Sequence, residues 1–320
     1  MTGTAPSLPD FEAISALMER VRAAATDAPA LAKLELSEVL RFIEGKRAIF
    51  SGQFGEEDAI IRFYFDEPRA YARRDWEELT RTWPYMSDGP YRVNKPLFHY
   101  PDLGLLIVRR EAGQPLLERL WQSEKSDRAA YIPGAVQWLR HYTRPTERPS
   151  AMRAASWLSK AEKRLNKQAS ARLRPMLKNV RAELHRILPS MQGKQWRVAT
   201  SHGDFHPNNL LVGDGVLTGI DTGGSARLPL LKDMARFMTH MGRRGLLPSD
   251  ATVFGVDKGS FDHFSACFDL TDEEREVWLP FMIGIEALLR VETTGLSRSR
   301  IRRAQAFYET MLDDLRVIDV

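Results

Sequence analysis

The chain has 320 residues, 43% hydrophobic, 28% charged and 9% aromatic, a make-up that excludes a disordered or fibrous protein and leaves room for one domain or two. Its single cysteine, Cys267, excludes an intrachain disulfide framework and suits a reducing, cytoplasmic setting; no run of about 18 apolar residues marks a membrane span and no basic-then-apolar leader opens the sequence. Net charge is +4, and between positions 150 and 197 twelve Lys or Arg stand against Glu162 and Glu183 alone, which reads as a solvated helix face or, more pointedly, as a surface for an acidic partner.

Taken in chain order, Phe11, Ile14, Leu17, Met18 and Val21 recur at helical spacing after Pro9 and Asp10 and predict an opening amphipathic helix. From about Leu40 the pattern changes. Short β-prone runs at 48–50 and 59–65, separated by Gly52, Gly55 and an acidic turn, predict antiparallel strands. A helix over about 70–85 follows, then extended runs at 91–99 and 103–110 that end at Glu111, Ala112 and Gly113. Strands, one helix and more strands predict a small α+β lobe over 1–111, with a mainly helical remainder over 112–320. In that remainder Leu158, Ala161, Leu165, Leu173, Leu177, Val180, Leu184 and Leu188 keep a 3.6-residue period that Pro175 should bend or interrupt. Thr271 and Glu274 form a capping-box pattern ahead of an apolar helical run, and a last helix is predicted over 301–315.

One stretch breaks the helical background: SHGDFHPNNLLVGDGVLTGIDTGG, residues 201–224. It reads as a loop, a strand at 210–212, a Gly-Asp-Gly turn and a second strand at 216–220. With Val212 opposite Val216, Asn209 lies across from Gly219, and Asp221 is about 7 Å further along the strand. Both side chains then leave the hairpin's open end. An amide oxygen and a carboxylate, completed by waters and phosphate oxygens, suit Mg2+. Asp204, five residues before Asn209, would sit beside such an ion and remain free to take a hydroxyl proton. Singly, each residue has an ordinary reading: a loop aspartate, a turn asparagine, a helix N-cap. His202 and His206 have the spacing of a zinc pair, but Gly203 and Pro207 oppose a helix there and no Glu accompanies them.

HGDFHPNN followed by GID resembles the catalytic and metal-binding segments of the aminoglycoside phosphotransferase and choline kinase superfamily. The resemblance implies a two-lobed, protein-kinase-like α+β fold: a small antiparallel-sheet N-terminal lobe and a larger, mainly helical C-terminal lobe. By position it implies Asp204 as catalytic base, Asn209 and Asp221 as Mg2+ ligands and His202 as a buttress of the catalytic loop. The segment LPLLKDMARF resembles the family's stretch with an aspartate at a helix start, so Asp233 is expected to hold that loop in shape. Ile60-Ile61-Arg62-Phe63 resembles the strand whose lysine, often replaced by arginine, contacts the nucleotide phosphates. Arg62 is therefore the expected phosphate ligand, gripping through a planar fork; the bland alternative is an exposed strand arginine. Its acidic partner should come from the following helix, where Asp75, Glu77 and Glu78 compete, Glu78 being carried among the cofactor-site residues. The turn expected to join the first strands, 51–55, lacks the full G-x-G-x-x-G pattern. The 108–113 connection resembles the interlobe hinge, where backbone groups at Arg110 and Glu111 would meet adenine.

The implied reaction moves the γ-phosphoryl group of ATP, with Mg2+, to a hydroxyl of a small molecule. The acceptor belongs to the variable helical parts, about 115–195 and 240–320, where no code is readable; the basic 150–197 segment argues mildly against a purely cationic acceptor. Oligomeric state has no signature either. Two rivals stand beside this reading. One is a catalytically silent pseudokinase or nucleotide-binding protein, motivated by Arg62 and the incomplete glycine loop; the other is a nucleic-acid factor using the basic segment, which carries no recognised binding motif.

Overall fold

The computed structural model describes residues 11–65, 69–292 and 295–320; Pro9 and Asp10, which lead into the predicted first helix, lie outside them. By its internal packing the chain divides into two compact units. One runs to Gly113 and takes in Gly213–Ser225; the other comprises Gln114–Val212 and Ala226–Val320. The sequence division at 111/112 has no counterpart of the return at 213–225.

In the first unit, helix α1 (Phe11–Ala24) is followed by strands β1 (Leu34–Ile43), β2 (Arg47–Phe54) and β3 (Glu57–Tyr64), helix α2 (Arg69–Met86), and strands β4 (Tyr91–Val93), β5 (Pro96–Tyr100) and β6 (Leu105–Arg109). Five of the strands form an antiparallel sheet in the order β1-β2-β3-β6-β5. Leu17 and Val21 of α1 pack with Phe50, Ile61, Phe63, Leu105 and Ile107 in one apolar core. On β3, Ile61, Arg62, Phe63 and Tyr64 are all buried, because α1 supplies cover on one side and α2 on the other; a strand covered twice reads as a continuous run rather than an alternation.

Strand β1 was not foreseen in full. Its pairing with β2 slips between Leu36 and Glu38 and again between Val39 and Arg41, and each slip shifts the two-residue alternation by one, so no clean strand pattern survives. β1 and β2 are joined at 44–46, with Gly45 at φ +64°, and the turn between the two strands predicted at 48–50 and 59–65 is at 55–56, with Gly55 also at φ +64°, shorter than the expected 51–55. Residues 51–54 lie inside β2. Gly52 is there for a different reason: a Cβ at that position would stand 2.0 Å from the Glu35 carbonyl oxygen. The predicted extended run at 91–99 is two strands, since Pro96, which has no N–H to donate, begins a strand more readily than it continues one.

The second unit opens with β7 (Gln114–Pro115) and helices α3 (Leu116–Gln122) and α4 (Ile132–Thr143). It continues through β8 (Arg148–Ala151), α5 (Ala154–Leu165), α6 (Arg174–Ile187), β9 (Gln195–Ser201) and β10 (Leu210–Gly213). The return segment carries β11 (Val216–Gly219), which runs parallel to β4 with Leu217 opposite Tyr91. Then come β12 (Ala226–Pro229), α7 (Leu230–Gly242), β13 (Thr252–Val253), β14 (Val256–Asp257), α8 (Lys258–Cys267), α9 (Leu279–Leu289) and α10 (Arg298–Arg316). Pro175 does interrupt the long periodic run, standing in the first turn of α6, where its missing N–H costs nothing. The capping box forms as expected: the Thr271 N–H donates to Glu274 Oε2 at 3.0 Å and the Glu274 N–H to Thr271 Oγ1 at 3.2 Å. A single π-helical turn, Glu274–Trp278, precedes α9.

Two helices dominate the interior of this unit. α9 is apolar on every side apart from Glu286, and its residues from Leu279 to Leu288 are all buried, as such a helix must be. Every residue of α7 is buried as well, yet it carries Lys232, Asp233, Arg236 and His240. Charges in a buried helix need partners, and the partners of these define the loop described next. Among the described residues no helix is long and apolar enough to cross a membrane.

Candidate active site

The segment 201–209 leaves β9 and enters β10 through a short helical turn, Pro207–Asn209. Phe205 anchors it. Its ring lies on Trp138 at 5.5 Å with the planes 9° apart and on Phe237 at 5.2 Å, with no exposed surface. His202 is equally buried, set among Trp138, Tyr142 and Phe205. Gly203, at φ +83°, donates its N–H to Asp233 Oδ2 at 3.0 Å, and its carbonyl accepts from Lys232 Nζ. Asn209 donates its backbone N–H to the His206 carbonyl at 2.9 Å and its Nδ2 to the Asp204 carbonyl at 3.0 Å. The loop is thus held by aromatic stacking below and by hydrogen bonds on both sides of Asp204, whose side chain emerges 43% exposed. Replacing Phe205 by Ala should cost about 3–5 kcal/mol of stability, read as a lower urea midpoint with unchanged slope. A loss below about 1 kcal/mol would mean that the ring does not carry the loop.

Asp204 does not stand alone. Arg236 Nε and Arg290 Nη2 both donate to its Oδ1, at 2.8 and 2.9 Å, and His206 Nε2 lies 3.4 Å from Oδ2. Burial works to raise the pKa of Asp204, but the His206 hydrogen bond and the charges of Arg236 and Arg290 outweigh it and hold the carboxyl well below the usual range. It is ionised at any working pH. Burial pushes His206 the other way, to lower pKa, and more strongly than Asp204 can restore. The His206 ring stacks on His240 at 4.5 Å. Burial, then Arg244, His206 and Arg236, keep His240 far below the ordinary histidine range against the single opposing charge of Asp204.

A histidine that stays neutral when folded but takes a proton when unfolded makes the unfolded state bind more protons below about pH 6.5. Stability therefore falls with pH from there downward, by at most about 1.4 kcal/mol per unit for one such group. His240→Gln should flatten the fall in thermal midpoint between about pH 6.5 and 5, and a slope identical to wild type would assign the acid sensitivity elsewhere.

In the first unit, Arg62 is buried and ion-paired. Its Nη1 lies 3.0 Å from Asp75 Oδ2 and 2.9 Å from Asp221 Oδ1. Burial works to lower its pKa, but Asp221, Tyr64 and Asp75 outweigh it and push it up. This overturns the exposed-arginine alternative. Of the three acids on α2, Asp75 is the one that meets Arg62 at 3.0 Å. Glu78 makes a two-point pair with Arg81, at 2.8 and 2.6 Å, and Glu77 approaches Arg73 at 3.7 Å. Asp75 Oδ1 also accepts from Thr222 Oγ1 at 2.6 Å. Asp221 itself is in the left-handed region, φ 62° and ψ 46°, tolerated by an aspartate at a cost, and its side chain is 45% exposed. Beyond it, Gly223 lies flat on Tyr71, whose ring leaves 2.4 Å for any Cβ. In the 108–113 connection the Arg110 N–H donates to the Asp58 carbonyl at 2.7 Å. The Glu111 carboxylate accepts from the Lys95 N–H at 3.1 Å and from Arg109 Nε and Nη2 at 3.0 Å each.

Sequence reading missed Arg236 and Arg290. The first had a signal, because it lies one helical turn beyond Asp233 on a helix whose start was recognised. The second had none, being 86 positions from Asp204. No three His, Cys, Asp or Glu side chains gather as a metal site among the described residues; of the 202/206 pair, His202 stacks among rings while His206 faces Asp204.

An antiparallel sheet with one helix set between its strands, then a helical unit presenting an aspartate from a braced loop, is the arrangement of kinases that phosphorylate small molecules. The chain belongs to the phosphotransferase enzyme family, whose model matches residues 60–245, and it is accordingly a phosphotransferase with an alcohol group as acceptor. Solved structures share its fold at low identity. A choline/ethanolamine kinase family protein from Mesorhizobium loti is 14% identical, with 94% of this chain and 99% of that one covered at a TM-score of 0.55. Aminoglycoside phosphotransferase APH(4)-Ia is 12% identical over 94% and 98%, TM-score 0.56. The amicoumacin kinase hAmiN, solved with AMP-PNP, Ca2+ and Ami, is 11% identical over 94% and 96%, TM-score 0.53. No curated protein matches.

Proposed function

We propose that the chain transfers the γ-phosphoryl group of ATP to a hydroxyl of a small molecule, with Asp204 as the base. The observation that carries this reading is the braced loop, in which Asp233, Phe205 and Asn209 all hold the backbone around one emergent, ionised carboxylate. A structural aspartate needs no such support. The base is weak because two arginines share it, but phosphoryl transfer runs through a loose transition state in which the hydroxyl proton leaves late. Orientation then counts for more than basicity. The double arginine clamp is also the one feature that favours a silent site, and replacing Asp204 separates the two readings.

The roles of Asn209 and Asp221 follow from what their hydrogen bonds leave over. Asn209 spends its amide nitrogen on the Asp204 carbonyl, which leaves Oδ1 as the side chain's acceptor. Asp221 has one oxygen on Arg62 and keeps the other, on a half-exposed side chain. An amide oxygen and a carboxylate oxygen fit a hard divalent ion that takes its other ligands from water and phosphate. When bound, Mg2+ supplies neutralisation of the phosphate oxygens. Arg62, kept charged by Asp75, contributes a fixed guanidinium for the same oxygens, and the backbone at Arg110 and Glu111 is the adenine contact. The hAmiN complex with AMP-PNP and Ca2+ supports nucleotide and divalent-ion use.

Metal-dependent ADP release in the presence of candidate alcohols tests the reading directly. Asn209→Ala and Asp221→Asn should each raise the magnesium concentration needed for half-maximal rate by about 10–100-fold. A magnesium titration unchanged from wild type would remove the residue from the ligand set.

A further inference from the structure

The groups around Asp204 are predominantly cationic. Arg236, on buried α7, and Arg290, at the end of α9, both bind the same carboxylate oxygen. The other arginines on this side are Arg243, Arg244 and Arg300. Arg243 has an acid of its own, Glu292, which Gln168 also holds. Arg244 has none among the described residues: its Nη1 donates to the His240 carbonyl at 2.8 Å. Burial and the like charges of Arg300, Arg243 and Arg236 pull its pKa down to about 9, the response of a cation among cations. The nearby acids are closed to a ligand. Glu286 is fully buried, its oxygens 3.5 Å from Arg290 and 3.9 Å from Lys232 and accepting no hydrogen bond, and Glu292 is buried against Arg243. A positively charged acceptor arriving at Asp204 would meet Arg236 and Arg290 with Asp204 as the one exposed carboxylate paired to them among the described residues. Like charges in a partly buried site are strongly unfavourable.

We propose that the hydroxyl acceptor carries an anionic group, a carboxylate or a phosphate, and that Arg290 with Arg236 receives it as the hydroxyl docks on Asp204. The proposal rests on the phosphotransferase reading and narrows its substrate class. The two arginines differ in freedom. The Arg236 side chain is 10% exposed and fixed in the helix packing, whereas that of Arg290 is 36% exposed. Arg290 is the one able to exchange Asp204 for the oxyanion of a substrate. That exchange frees one acceptor position on Oδ1, which keeps its Arg236 bond, and removes one of the charges that weaken it as a base. As the substrate oxygen forms its bond to the γ-phosphorus, its proton passes to Asp204, and the bond between the γ-phosphorus and the bridging oxygen breaks with its electron pair going to ADP. Water brings no anionic group to draw Arg290 away, so hydrolysis of ATP is held down by the same contact.

The test uses the full chain with Mg-ATP and alcohols in matched pairs: glycerate against glycerol, gluconate against glucose, with ethanolamine as the cationic probe. In at least one pair the acid should give ADP release with a kcat/KM about ten-fold or more above its neutral partner, the scale of one charge-assisted pair. Arg290→Gln should erase that ratio, mainly through the KM of the acid, Arg290→Lys should restore part of it, and Arg290→Glu should turn the preference toward ethanolamine. A merely structural arginine would lower all acceptors alike and leave the ratio standing, which would overturn the proposal, as would a wild type that prefers the neutral or amino alcohols; in both cases the phosphotransferase reading survives. A second measurement needs no turnover. At matched ionic strength, sulfate should raise the thermal midpoint above that in chloride for wild type but not for Arg290→Gln, and an equal response of the two proteins overturns the proposal. If neither alcohols nor ATP have any effect on ADP release or on the thermal midpoint, the parent reading fails and this one fails with it.

Discussion

Replacing Asp204 by Asn is expected to lower turnover by about 10²–10⁴-fold, the range for loss of a general base, while the KM for ATP moves little. Asparagine keeps the shape and one accepting oxygen, so the Arg236 contact at 2.8 Å has an acceptor to return to and the loop keeps its anchors at Phe205 and Asp233. What disappears is the ability to take a proton. The carboxylate is ionised far below neutral pH, so wild-type activity should show no acidic limb from this group between about pH 5 and 8. A variant with wild-type turnover on its true acceptor would end the base assignment; one with unchanged nucleotide binding and no turnover in either protein would favour the silent-site alternative.

The second large effect is expected at Arg62. Its removal takes from Asp75, 1% exposed, the guanidinium that lies 3.0 Å away, and breaking a buried pair from one side costs about 3–5 kcal/mol. Arg62→Ala should therefore lower the urea midpoint markedly and weaken ATP binding at the same time. Arg62→Lys restores one charged nitrogen for Asp75 and Asp221, which Arg62 meets through Nη1 alone, but not the planar fork for phosphate oxygens, so it should recover stability more fully than nucleotide affinity. Equal stability of Arg62→Ala and wild type would show that Asp75 is protonated or paired elsewhere. This substitution reports on the first unit, as Asp204→Asn reports on the second.

How much of this was legible beforehand differs from residue to residue. The loop was recognisable because Asp204 and Asn209 belong to one turn, whereas the groups that brace it, Asp233, Trp138 and Phe237, are distant in sequence. The capping box at Thr271 was readable because a helix start is a short-range event. Strand β1 was not, because two slips of register destroyed the alternation by which a strand is recognised. Gly52 was taken for a turn glycine when what it provides is room for the Glu35 carbonyl; a sequence cannot distinguish the two uses. Among Asp75, Glu77 and Glu78 helical spacing offered no decision, since the deciding partners are Arg62 on a strand and Thr222, 147 positions away. Arg290 lay beyond any local rule and required the end of α9 to be brought to Asp204.

The return of Gly213–Ser225 to the first unit bears on how the protein is made. A ribosome delivers β1 to β6 about a hundred residues before the strand that pairs with β4 and before the Asp221 and Thr222 that complete the polar cluster of Arg62 and Asp75. Until then the nascent sheet holds a buried arginine and aspartate with half their company missing. The first unit to be translated is thus the later to mature, and its closing awaits the same thirteen residues that bring Asp221 to Arg62.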